Sequence, residues 1–105
     1  MALGPGLLES VYEICLAHAL SKRGHIVKRQ VVVPVVFDTV KFDAGFCLDL
    51  LVDALEICEL KAVENLLSVL KAQVLTSMKL TEKRLGFLIN FNVPLIKNGI
   101  HRFIK

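Results

Sequence analysis

Asp49 and Glu59 lie ten residues apart on either side of Asp53-Ala54-Leu55, and Lys61 follows Glu59 after one residue. Gly45 to Val52 and Glu56 to Lys61 are apolar segments that predict a hairpin closed around those three residues. If the hairpin is symmetric about Ala54, strand partners carry numbers with a constant sum, and Asp49 falls directly opposite Glu59. Opposed side chains of an antiparallel pair have Cβ atoms roughly 4.5–5.5 Å apart, where like charges are destabilising unless neutralised. A divalent cation neutralises them: two carboxylates, a backbone carbonyl and water make the oxygen-only, partly hydrated set that Mg²⁺ or Mn²⁺ takes. Lys61, on the same face as Glu59 by alternation, could hold an attacking water or balance the charge of a phosphate. The same residues also describe a charged, solvated sheet face, and pattern alone leaves both readings open.

Alternation places Cys47, Asp49, Leu51, Ile57, Glu59 and Lys61 on one face of the hairpin. Phe46, Leu48, Leu50, Val52, Cys58 and Leu60 fall on the other, which reads as core. Glu9 and Glu13 sit one turn apart near the start of a helical segment, where the helix dipole favours surface carboxylates. Gln73 lies among Val69, Leu70 and Met78, where an amide needs a partner, either structural or in the site. His18, His25 and His101 show no metal-ligand spacing, and no Ser, His and Asp pattern suggests a hydrolase triad. Gly4-Pro5-Gly6 lacks the Lys-Ser/Thr ending of a phosphate-binding loop. Cys15, Cys47 and Cys58 are odd in number and include no C-x-x-C pair, so they read as reduced thiols.

These residues need elements to position them. From Leu7 to Arg23, Leu8, Val11, Tyr12, Cys15 and Ala19 recur at helical spacing between a Gly-Pro-Gly breaker and Gly24, predicting an amphipathic helix with that apolar stripe. Val27 to Phe37 is β-branched and reads as a strand, with Pro34 implying an edge position or a bulge. Asp38 to Lys41 then turns the chain. Asn65 to Leu80 carries Leu66, Leu67, Val69, Leu70, Val74 and Met78 at helical spacing, with Ser68, Lys71 and Lys79 opposite. Leu85 to Phe91 suits a central strand, and Ile100 to Ile104 adds a last edge strand after the Lys97-Asn98-Gly99 turn. The order is helix, three strands, helix, one or two strands: an α/β chain with a mixed sheet covered by helices.

The 105 residues, 54% hydrophobic and 22% charged, are enough for one domain with a true core and exclude disorder. The longest stretch without a charge, Leu85 to Ile96, contains Asn90, Asn92 and Pro94, so no membrane span is expected. The N-terminus has no basic start, and Glu9 interrupts its apolar run, so a cytoplasmic protein is expected rather than a secreted one. The net charge of +3 includes Lys22-Arg23, Lys28-Arg29 and Lys83-Arg84, which could face a phosphate backbone, although composition alone describes a scattered solvated surface.

The sequence resembles the GxxExxY proteins, a branch of the PD-(D/E)xK nuclease superfamily. The name-giving motif stands as Gly6-Leu7-Leu8-Glu9-Ser10-Val11-Tyr12, and the core motif resembles Asp49 followed by Glu59-Leu60-Lys61. Gln73 matches the glutamine of the second helix, and the similarity continues through Leu88-Ile89-Asn90-Phe91 to Gly99-Ile100. The resemblance implies a restriction-endonuclease-like core spanning residues 1–105 as a single domain, truncated at its N-terminus relative to members with an earlier helix. It implies a metal-dependent nuclease acting on nucleic acid, chiefly DNA. Asp49, Glu59 and the Leu60 carbonyl would bind Mg²⁺ or Mn²⁺, with Glu9 as a further ligand. Lys61 would orient the attacking water, and Gln73 would fix the geometry. Related folds often act as dimers, so a homodimer is among the expected partners. Cys47 stands where the family carries Arg, and Ser77 where it carries Tyr; neither change removes a metal ligand. The alternative is a catalytically degenerate module of this fold that binds nucleic acid or a protein partner.

Overall fold

A computed structural model describes residues 5–37, 40–93 and 96–105. The chain forms α1 (Pro5–Lys22), β1 (Val27–Phe37), β2 (Val40–Val52), β3 (Glu56–Lys61), α2 (Ser68–Thr81), β4 (Leu85–Asn90), a 3₁₀ turn (Ile96–Gly99) and β5 (Ile100–Ile104). The strands lie in chain order across one mixed sheet, with β3 and β4 parallel and the other pairs antiparallel. This is the expected α/β architecture, a restriction-endonuclease-like mixed sheet flanked by helices, with the last strand present. Among the described residues no helix is long and apolar enough to cross a membrane.

Pro34 satisfies both of its expectations, because β1 is an edge strand and its register with β2 shifts between Val33 and Val35. β2 begins at Val40, five residues before the expected start; the expected turn falls partly on residues 38–39, outside the described residues. The β2–β3 register is Leu50↔Cys58, Leu51↔Ile57 and Val52↔Glu56, the constant sum that symmetry about Ala54 requires. Asp53 and Ala54 both adopt left-handed backbone (φ 53° and 57°), and the Leu55 N–H donates to the Val52 carbonyl at 3.0 Å. That is a hairpin turn whose twist matches the flanking strands. The Asp53 carboxylate pins the turn to the start of β1, accepting from the His25 ring at 2.7 Å and the Ile26 N–H at 2.8 Å, and these bonds hold its pKa below the usual value.

The core has two layers. Ala17, Leu50, Val52, Cys58, Leu60 and Ile89 pack beneath α1, while Val33, Leu48, Ile57, Val74, Met78 and Leu88 pack beneath α2. Leu48 therefore departs from the expected alternation: it is buried, but on the opposite side from Leu50. The cause is a break in both strands. Gln30 has left-handed backbone (φ 51°), and neither it nor Asp49 is paired, although the β1–β2 register is the same on both sides of them, at Arg29↔Leu50 and Val31↔Leu48. On one side of the break Arg29 and Leu50 face α1; on the other, Val31 and Leu48 face α2.

The apolar stripe of α1 is also corrected. Leu16, Ala17 and Leu20 pack on the sheet, whereas Val11 and Cys15 are exposed and Ala19 faces solvent. The helix is rotated because Glu9 and Glu13 point inward. It ends in a double turn bond, His25 N–H to Leu20 and Gly24 N–H to Ser21, with Gly24 left-handed (φ 93°). α2 starts at Ser68 rather than at Asn65, leaving Leu67 exposed at its N-cap; within it Val74, Ser77 and Met78 are buried and Val69 is exposed, so its buried face is narrower than the sequence stripe.

At the far edge, a Cβ on Gly99 would collide with the Asn90 carbonyl oxygen. Gly99→Ala must push the 3₁₀ turn off the end of β4, and a loss of about 1–3 kcal/mol is expected. It is measured as a lower urea midpoint at unchanged slope.

Candidate active site

β2 and β3 diverge just past Leu50↔Cys58, and the same register carried one step further sets Asp49 across from Glu59. The structure places Asp49, Glu59, Lys61 and Gln73 around one open cavity of about 400 Å³, between the sheet and α2, with Cys47 and Ser77 also on its wall. Asp49 is fixed by the Leu60 N–H, which donates to its Oδ2 at 2.8 Å. Glu59 is the strained member. Burial first, and the facing Asp49 carboxylate second, push its pKa up to about 8, with Lys61 pulling the other way. Gln73 is exposed at the rim, and its carbonyl accepts the buried Ser77 hydroxyl at 3.0 Å.

Glu9 is not on this cavity. It lines a smaller one of about 110 Å³ on the α1 side, together with Ser10, Glu13, Gln30, Asp49 and Leu60. Its Oε1 accepts the Ala62 N–H at 3.2 Å, tying α1 to the chain just beyond Lys61. Asp49 belongs to both cavities because it sits at the break where the strands change sides. Among the described residues no three His, Cys, Asp or Glu side chains form a ready-made metal cluster. What the main cavity offers a cation is the Asp49 and Glu59 carboxyl pair, of which Glu59 holds its proton the more tightly because it is buried and faces Asp49.

Several residues that hold the site were given no part in it from sequence. Asn90, which is buried, grips Val63 twice, accepting its N–H at 3.1 Å and donating to its carbonyl at 2.9 Å. The Phe91 N–H donates to the Lys61 carbonyl at 2.8 Å, so the end of β4 fixes the backbone on which Lys61 stands. Tyr12 of α1 stacks on Phe91 with ring centroids 4.3 Å apart, joining α1 to the same point. Glu13 is buried and bonded by Arg29 and Gln30. Its signal in the sequence is its position one turn from Glu9, which predicts a shared face but not which way that face points. All three thiols are free: Cys47 donates to the Gln30 amide oxygen, and burial pushes Cys58 up to about 12.

A family model described as the PD-(D/E)XK nuclease superfamily matches residues 1–103, and the chain belongs to that superfamily. It is a nuclease-fold protein, in a superfamily whose members generally use divalent metals. No curated protein and no solved structure matches it significantly.

The raised pKa of Glu59 sets a signed expectation for the metal-free protein. A carboxyl whose pKa is raised by folding favours the native state below its unfolded pKa and disfavours it as pH rises through the folded value. Glu59→Gln removes that penalty. The variant is expected to melt higher than wild type near pH 8.5, with the difference closing by pH 4, in thermal unfolding with chelator present.

Proposed function

We propose that the protein is a metal-dependent nuclease that hydrolyses phosphodiester bonds in DNA, with Asp49 and Glu59 as the residues that hold the ion. The observation that carries the reading is the carboxylate pair opposed on one cavity wall with Lys61 beside it. An oxygen-only donor set of two acids suits Mg²⁺ or Mn²⁺ and does not suit a soft metal. When bound there, such a cation lowers the pKa of water and offsets charge on the phosphate oxygens.

The chain's own groups do the rest. Asp49 is kept as an acceptor by the Leu60 N–H, so one oxygen is oriented and the other is left for the ion. The Leu60 carbonyl serves as a backbone ligand. Lys61, held through its own carbonyl by Phe91, orients the attacking water and offsets phosphate charge. Gln73 reaches from the rim of α2 to fix the substrate or the water. Glu9 supports the site from the α1 side through Asp49's second cavity. The Gly6, Glu9 and Tyr12 pattern supports placing the chain in the GxxExxY branch.

Purified protein is expected to cleave DNA in Mn²⁺ or Mg²⁺ and to stop in EDTA. Asp49→Asn should lower the rate by about 10²-fold or more, the scale on which one charge-stabilising group is felt. Calorimetric titration with Mn²⁺ should show saturable heat in wild type and none in Asp49→Ala. Undiminished metal-dependent cleavage by Asp49→Asn overturns the assignment. Salt-sensitive DNA binding with no cleavage in either protein would instead mark a binding module.

A further inference from the structure

Glu13 is a carboxylate sealed inside the fold, its side chain 5% exposed, and Arg29 is the cation that answers it. Arg29 donates from Nε and Nη2 to one oxygen, Oε2, at 3.2 and 3.0 Å, while Gln30 donates to the other. A guanidinium carries five N–H donors in a rigid plane. Glu13 takes one edge of that fork, and the remaining edge, with Nη1, is directed elsewhere. The Arg29 side chain is 43% exposed, so the ion pair does not seal it from solvent as it seals Glu13.

Its position is set by the strand break. In a regular strand Arg29 would share a side with Val31, beneath α2. The left-handed Gln30 instead turns Arg29 toward α1, where Glu13 and Gln30 line the smaller cavity and Asp49 lines it too. A planar fork is the group best matched to phosphate oxygens, and one ordered by a buried anion loses little further freedom on binding. Neutralising Glu13 alone would not call for a guanidinium left 43% exposed, next to Glu13 and Gln30, which share a cavity wall with Asp49.

We propose that Arg29 contacts a backbone phosphate of the DNA strand on the α1 side of Asp49, with Glu13 and Gln30 as the residues that position its guanidinium. The proposal rests on the nuclease reading above and adds the substrate contact to it.

The test is fluorescence anisotropy of a labelled short DNA duplex with a single-stranded tail, in Ca²⁺ to prevent cleavage, over a range of salt. Wild type is compared with Arg29→Lys and with the double variant Glu13→Gln/Arg29→Gln, which replaces the ion pair by two amides. Folding is checked by thermal unfolding and Mn²⁺ calorimetry. In the double variant, DNA affinity is expected to fall about tenfold, and the slope of log K against log salt to shrink by about one phosphate contact. Arg29→Lys should keep the slope but recover only part of the affinity, because an ammonium lacks the fork.

Unchanged affinity and slope in a folded double variant would show that Arg29 serves Glu13 alone and overturn the proposal. If the double variant does not fold, Arg29→Lys decides: affinity equal to wild type overturns the proposal, and a loss supports it. Wild type that binds no DNA overturns both the contact and the nuclease reading. Wild type that binds and cleaves, with variants that bind equally well, overturns the contact only.

Discussion

Two carboxyl groups held face to face across a hairpin resist being ionised together, and much of this fold is arranged so that they cannot move apart. The left-handed pair Asp53 and Ala54 sets a turn with one register, and Asp53 is itself fastened to the start of β1 by His25 and Ile26. A slip of one residue would send Leu50, Cys58 and Leu60 out of the layer beneath α1 and Ile57 out of the layer beneath α2. Those four are almost fully buried, so core packing outweighs carboxylate repulsion and keeps Asp49 opposite Glu59.

The second constraint is the break at Gln30 and Asp49. Beyond it, Val31, Val33 and Leu48 turn to the face beneath α2, while Leu50 and Val52 before it stay on the face beneath α1. The break also puts Asp49 at the seam, open to both cavities, with its Oδ2 spent on Leu60. The backbone distortion coincides with the candidate site, a place where proteins commonly tolerate unfavourable conformations because the surroundings over-determine them. Asn90, Phe91 and Tyr12 complete the frame from the other side by fixing the chain after Lys61.

The sequence showed the hairpin register because its signal is local: a short loop between two apolar runs of matched length. It showed β1 at the edge through Pro34 and the element order through alternating periods. It misplaced Leu48 because alternation assumes an unbroken strand, and a left-handed glutamine carries no residue-type signature. It misplaced the stripe of α1 because inward carboxylates are paired by groups 16 to 53 residues away, namely Arg29, Gln30 and the Ala62 amide. The same distance hid Asn90, an amide at the end of an apolar strand whose partner, Val63, lies 27 positions earlier. Asp49, Glu59 and Lys61 were expected together from the hairpin register, and Gln73 from its helical position and the resemblance; all four line one cavity. Glu9 came from resemblance, and the structure sets it beside Asp49 in a separate cavity.

On the nuclease reading, the charges around Asp49 explain why a divalent ion suits this place. Glu13 is cancelled by Arg29, and Lys61 offsets one of the three remaining carboxylates, Glu9, Asp49 and Glu59. With all three ionised the balance is two negative charges, which one divalent cation neutralises and one monovalent cation does not. Without the ion the chain relieves part of that charge by holding a proton on Glu59, whose pKa of about 8 makes protonation the resting state at neutral pH. Loading the ion must therefore displace that proton, so ion affinity should strengthen as pH rises toward 8. The repulsion that costs the empty fold stability is then the source of its affinity for a cation, and both follow from the register of one hairpin.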